Sequence, residues 1–149
     1  MPMTVAGTLR RAAHLINHLG LHTGEQFADR NTNAIDVAAA IYVAAEGTGP
    51  DEFYTDEATS LEIIAASADA MAAIRALSAA IGTEPPVTEI TPDHDVPDYI
   101  EHVCHWAMTT PIFGTQPPAT SEVIGVLLRA ATAADSTTAF PHHTERSAA

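Results

Sequence analysis

The chain has 149 residues, with 19 acidic side chains against 6 basic ones, all of them Arg; the formal net charge is −13, and about one residue in five is Ala. The length suits one domain, and an apolar fraction of 46% is too high for a wholly disordered chain. The charge sign argues against a protein that grips nucleic acid by neutralising phosphates and against a polybasic membrane-surface protein.

The first predicted element is a helix over residues 4–19. Val5, Leu9, Ala12, Ile16 and Leu19 recur at spacings of four and three, which makes one apolar stripe. Thr4 reads as its N-cap and Gly20 as its stop. Residues 21–33 read as a connector with room for one short turn around Glu25 to Ala28. Asn33 then reads as the N-cap of a second helix, with Asp36 as a capping-box variant. Val37, Ala38, Ile41, Tyr42 and Ala45 follow at helical spacing, and Gly47 with Gly49-Pro50 ends the helix. Its alanines suit close helix–helix approach, either inside the domain or in a homodimer.

Residues 51–59 are acidic and partly aromatic. From Thr59 to Ile81 the pattern is helical again, and Ser67 with Asp69 predicts a break into two helices. Gly82 stops the second. Pro85, Pro86 and Pro92 exclude a regular helix over residues 83–96. That region is expected to be a long loop, with a short extended piece around Val87 to Ile90 that falls short of a sheet. Asp95 and Pro97 are expected to open a helix reaching Met108, with Ile100, Val103, Cys104 and Ala107 on one face. A second Pro-rich loop covers residues 110–119. Thr120 or Ser121 caps a last helix carrying Val123, Ile124, Leu127, Leu128 and Ala131. The sum is a single all-α domain over residues 1–134, an irregular bundle of about five or six helices with two Pro-rich loops. Residues 135–149 are expected to form a flexible tail.

No apolar run reaches the roughly 18 residues of a membrane span. The N-terminus lacks the pattern of a secretory signal, and the lone Cys104 excludes an intrachain disulfide. A soluble, cytoplasmic protein is the expectation.

The order of motifs resembles a known family. It runs from Leu9-Arg10-Arg11-Ala12-Ala13 through Leu19-Gly20, then Thr23-Gly24 and Phe27-Ala28, and on to Ala39-Ala40-Ile41 with Ala44-Ala45. It closes with Trp106 and with Glu122-Val123-Ile124 before Leu127-Leu128-Arg129-Ala130-Ala131. This series resembles a small, helical, Ala-rich family of unknown function from actinobacteria and their phages. In that family a Trp commonly follows the first glycine, where Leu21 stands here. A Cys-Ala-Leu-Gly-Ala stretch is common in the second helix, where residues 36–40 stand here. The resemblance implies a helical fold and an actinobacterial, phage or plasmid source. It brings no catalytic residue with it.

Chemistry-bearing side chains are few. His14, His18 and His22 are spaced by four, and the first two share a helical face, as metal ligands often do. Asp98 with His102, and Glu101 with His105, are i, i+4 pairs in the fifth predicted helix. Metal ligation by His14, His18, Asp98, Glu101, His102 and His105 across the bundle would take a divalent transition metal. The plainer reading makes these histidines surface or boundary residues beside carboxylates. Cys104 beside His102 and His105 is a formal nucleophile pair, but its place on the apolar face predicts an inert thiol. The chain has no phosphate-binding glycine loop and no GxSxG elbow.

Charge is distributed unevenly. Residues 76–128 hold no basic residue, yet contain Glu84, Glu89, Asp93, Asp95, Asp98, Glu101 and Glu122. Asp51, Glu52, Asp56 and Glu57 form a second acidic cluster. An acidic surface of this kind steers a basic partner, or merely keeps an Ala-rich chain soluble. The sequence therefore predicts a non-enzymatic protein–protein interaction or regulatory module, without a cofactor and without direct nucleic-acid binding. Asp51, Glu52, Asp56, Glu57, Glu84, Glu89, Asp93 and Asp95 are its candidate partner-binding residues. A metal-binding helical protein or enzyme is the alternative.

Overall fold

A computed structural model of the chain describes residues 4–91, 94–109, 114 and 116–148, with side chains described outside 88–96 and 137–148. The helix ends are set by short polar side chains and glycines. Thr4 Oγ1 accepts the Gly7 N–H at 3.0 Å and opens α1 (Val5–Leu19). Gly20, at φ 96°, closes α1 by donating its N–H to the Ile16 carbonyl. Gly47, in the left-handed region at φ 87°, ends α2 (Val37–Glu46) in the same manner. Ser67 Oγ accepts the Ala70 N–H and separates α4 (Glu57–Ala66) from α5 (Ala68–Ala80), as its sequence context predicts. The axes of α4 and α5 meet at 96° there.

The sequence-based expectations need several corrections. The N-cap of α2 is Asp36, not Asn33: the Asp36 side chain accepts the Ala38 N–H at 2.8 Å. Asn33 sits in the left-handed region at φ 66° and donates its N–H to the Asp29 carbonyl, closing a turn ahead of the helix. A four-residue helix, α3 (Glu52–Thr55), occupies the acidic stretch before α4. The first Pro-rich region forms an antiparallel hairpin, β1 (Val87–Thr91) with β2 (His94–Pro97), rather than remaining a loop. Val87 pairs with Pro97 and Thr88 with Val96. Pro85 and Pro86 precede β1 and Pro97 ends β2, so the prolines frame the strands. α6 (Tyr99–Met108) therefore starts after Pro97, capped by Asp98. The last helix, α7, runs Thr120–Ala148.

α1 lies at the centre and packs against α7, α2 and α5. Leu9, Ile16, Ile41, Ile74, Leu77 and Leu127 are fully buried, and each contributes about 1.5–3 kcal/mol on leaving water. The first half of α2 is buried on every side: Val37, Ala38, Ala39, Ala40 and Ile41 are consecutive and fully covered. Its alanines serve contacts within the chain, where small side chains let α1 and α5 approach. The described part of the fold is all-helical apart from the one hairpin. No single helix among the described residues is long and apolar enough to cross a membrane.

Candidate functional site

The connector between α1 and α2 has no regular structure, yet several of its backbone groups are paired. Ile35 donates its N–H to the Gly20 carbonyl, His22 to Ile35, and Asp36 to Phe27 at 2.7 Å. Phe27 and Ala28 both donate to the carbonyl of Phe53 in α3, at 2.9 and 3.1 Å. Phe27 and Phe53 are buried with ring centroids 5.9 Å apart, and Tyr42 meets Phe53 edge-on at 5.4 Å. The His22 ring bonds the Glu25 carbonyl at 2.8 Å. This lacing fixes the path of residues 24–27, where Gly24 has φ 116° and Gln26 has φ 66°. A left-handed Gln is strained by about 1–2 kcal/mol.

Between this connector, α4 and α6 lies a cavity of about 190 Å³. Phe27, Leu61, Ile100 and Met108 give it apolar walls. Asp36, only 6% exposed, is one of its lining residues; its Oδ1 accepts the Ala38 N–H and, at 3.2 Å, the Cys104 thiol. Burial pushes the Asp36 carboxyl up to about 6, against the lowering effect of these hydrogen bonds. No described arginine pairs with it. Burial and the neighbouring Asp36 charge push the Cys104 thiol well above its ordinary range, so it stays a hydrogen-bond donor. Gln26 also lines the cavity, and its Oε1 is buried with no hydrogen-bond partner. Glu57, Glu101 and His105 complete the lining.

The predicted metal ligands stand on α1 and on α6 with its cap. His14 and His18 are exposed on α1. Asp98 is engaged as the N-cap of α6, accepting the Glu101 N–H at 3.0 Å. His102 is 5% exposed, with Nδ1 bonded to Ser78 Oγ at 2.6 Å and Nε2 to Thr83 Oγ1 at 2.8 Å. Burial lowers its pKa and favours the neutral ring. Among the described residues no group of three or more His, Cys, Asp or Glu side chains is placed to hold a metal ion. Only Glu101 and His105 of the predicted set reach the cavity.

The acidic clusters divide by local role. Asp56 caps α4, accepting the Thr59 N–H at 3.1 Å and the Thr59 hydroxyl at 2.8 Å, and the first of these bonds leads in lowering its pKa. Glu52 and Glu57 stand in first helical turns, where carboxylates meet the helix dipole favourably. Asp51 and Glu84 are exposed. Arg30 stacks over Tyr54 at 4.6 Å beside this cluster. Glu89, Asp93 and Asp95 lie outside the described side chains.

Sequence reasoning missed Gln26 altogether and read Asp36 only as a capping partner. Cys104 on the apolar face of α6, with Glu57, Glu101 and His105, pointed to this place from the sequence. No curated protein and no solved structure matches the chain. Residues 1–133 match DUF6197, a family of unknown function, and the chain belongs to that family.

Proposed function

We propose that this protein is a non-enzymatic binding module with a regulatory role, and that the cavity beside Asp36 is its recognition site. The observation that carries this reading is polar capacity left unmet in a buried place: the orphan Gln26 Oε1, on a strained backbone, shares a cavity with an Asp36 carboxyl that no arginine pairs with. Buried polar groups without partners destabilise a fold. A bound molecule would supply the missing donors. The protonated thiol and the fully engaged His102 favour binding over nucleophilic or acid–base chemistry. The acidic residues on α3 and α4 would draw positively charged molecules toward this side of the chain.

The test is a ligand-observed NMR screen of small cationic, neutral and anionic compounds against the wild type and Leu61→Trp, in which a large ring fills the cavity beside a half-exposed position. Compounds should bind the wild type and lose their signal with the variant. Equal binding to both proteins refutes this cavity as the site.

A further inference from the structure

The lining of the cavity specifies the class of ligand, an inference that rests on the binding-module reading above. Three carboxylates line the space, Asp36 from the start of α2, Glu57 from α4 and Glu101 from α6, and no arginine does. The fourth acceptor is the Gln26 carbonyl oxygen, which lacks a donor. Asp36 receives the Ala38 and Ala39 backbone N–H groups and the Cys104 thiol, all neutral donors. His22 is close enough for its charge to act on Asp36, but its ring is held by the Glu25 carbonyl. His105 is exposed at the cavity.

The remaining walls include Phe27, Leu61, Ile100 and Met108, so an occupant meets hydrocarbon as well as acceptors. At about 190 Å³ the space is below the roughly 300–1,000 Å³ of pockets for drug-sized ligands. The geometry points to a small organic cation: a primary ammonium on a short aliphatic stem, its N–H groups directed to Asp36 and Gln26 and its carbons to the Phe27, Leu61 and Met108 walls. An anion would meet three carboxylates and no arginine. A neutral alcohol offers a single donor and leaves the carboxylate charge unpaired. Bare metal ions are disfavoured too, since the described side chains form no three-ligand set.

The experiment is titration of the full chain at pH 7.5 with n-butylammonium, 1-butanol and butyrate, read by backbone amide shifts of residues 24–27 and 101–108 and by calorimetry. Butylammonium is expected to saturate and to bind at least tenfold more tightly than the other two. Asp36→Asn keeps a good helix cap and should weaken butylammonium at least tenfold. Glu57→Gln with Glu101→Gln, both at exposed positions, should weaken it about threefold through the lost field, and gives a second test that leaves the α2 cap untouched. Equal binding of butylammonium and butanol, preference for butyrate, or full affinity in both variants overturns the cation assignment while leaving the cavity a binding site. Absence of any shift at these amides with all three probes, and with the screened compounds above, overturns both.

Discussion

α6 carries two buried polar clusters that meet the problem of burial in different ways. His102 is a complete arrangement: two ring nitrogens, two hydroxyl partners and a neutral ring. Two residues along, Cys104 leads to Asp36 and Gln26, where a charge is buried with only neutral donors and a carbonyl oxygen has no donor. The first cluster spends its hydrogen-bonding capacity on joining α5 to α6. The second retains capacity at a cost in stability. The contrast separates a polar group that holds the fold together from one that the fold holds ready.

The largest effect should come from the satisfied cluster. His102→Ala removes the partner of the buried Ser78 hydroxyl and opens a cavity, and is expected to cost about 3–4 kcal/mol by denaturant unfolding. A cost below about 1 kcal/mol would erase the contrast. Asp36→Asn should do the reverse and stabilise at pH 7.5, by about 2 kcal/mol. The sign follows from the proton count. Folded Asp36 takes its proton near pH 6 and unfolded Asp36 near 3.8, so the folded state holds more protons between these values. Stability therefore falls as pH rises through that window, and the gain from Asn should vanish below about pH 4. A pH-independent difference between variant and wild type would show that charge burial is not its cause.

Gln26→Gly should stabilise by about 1 kcal/mol, since it relieves the left-handed strain and removes the orphan acceptor at the cost of chain entropy. Loss of stability in a thermal melt would show that the side chain is well satisfied. The smallest effect is expected at the exposed Arg10–Asp135 pair, 2.6 Å apart and joining α1 to α7. Arg10→Ala should change stability by less than about 0.5–1 kcal/mol, and less still in high salt.

Much of the helical framework was legible because its signals are local. Thr4, Gly20, Gly47 and Ser67 act within three or four residues of where they stand, and each acts as its neighbours predict. The start of α2 was less clear, since Asn33 and Asp36 are both good caps; the choice falls to the turn that Asn33 closes with Asp29. The hairpin was hidden by its prolines, which mark strand ends as readily as loops. The cavity was hardly legible at all. Nothing in a polar connector announces that Gln26 will adopt a left-handed backbone, and the meeting of Asp36 with Cys104 spans 68 positions of the chain. A site assembled from long-range contacts by residues of ordinary type leaves no spacing to recognise.

The carbonyl of Phe53 has a consequence for how the cavity opens. It accepts from the amides of both Phe27 and Ala28, so a helix of four residues latches that part of the connector. Fraying of α3 releases two amides at once and uncovers the Phe27 wall. The exchange rates of those two amide protons should rise and fall together. A molecule seated against Phe27 should slow both by the same factor, which makes a pair of hydrogens the gauge of occupancy.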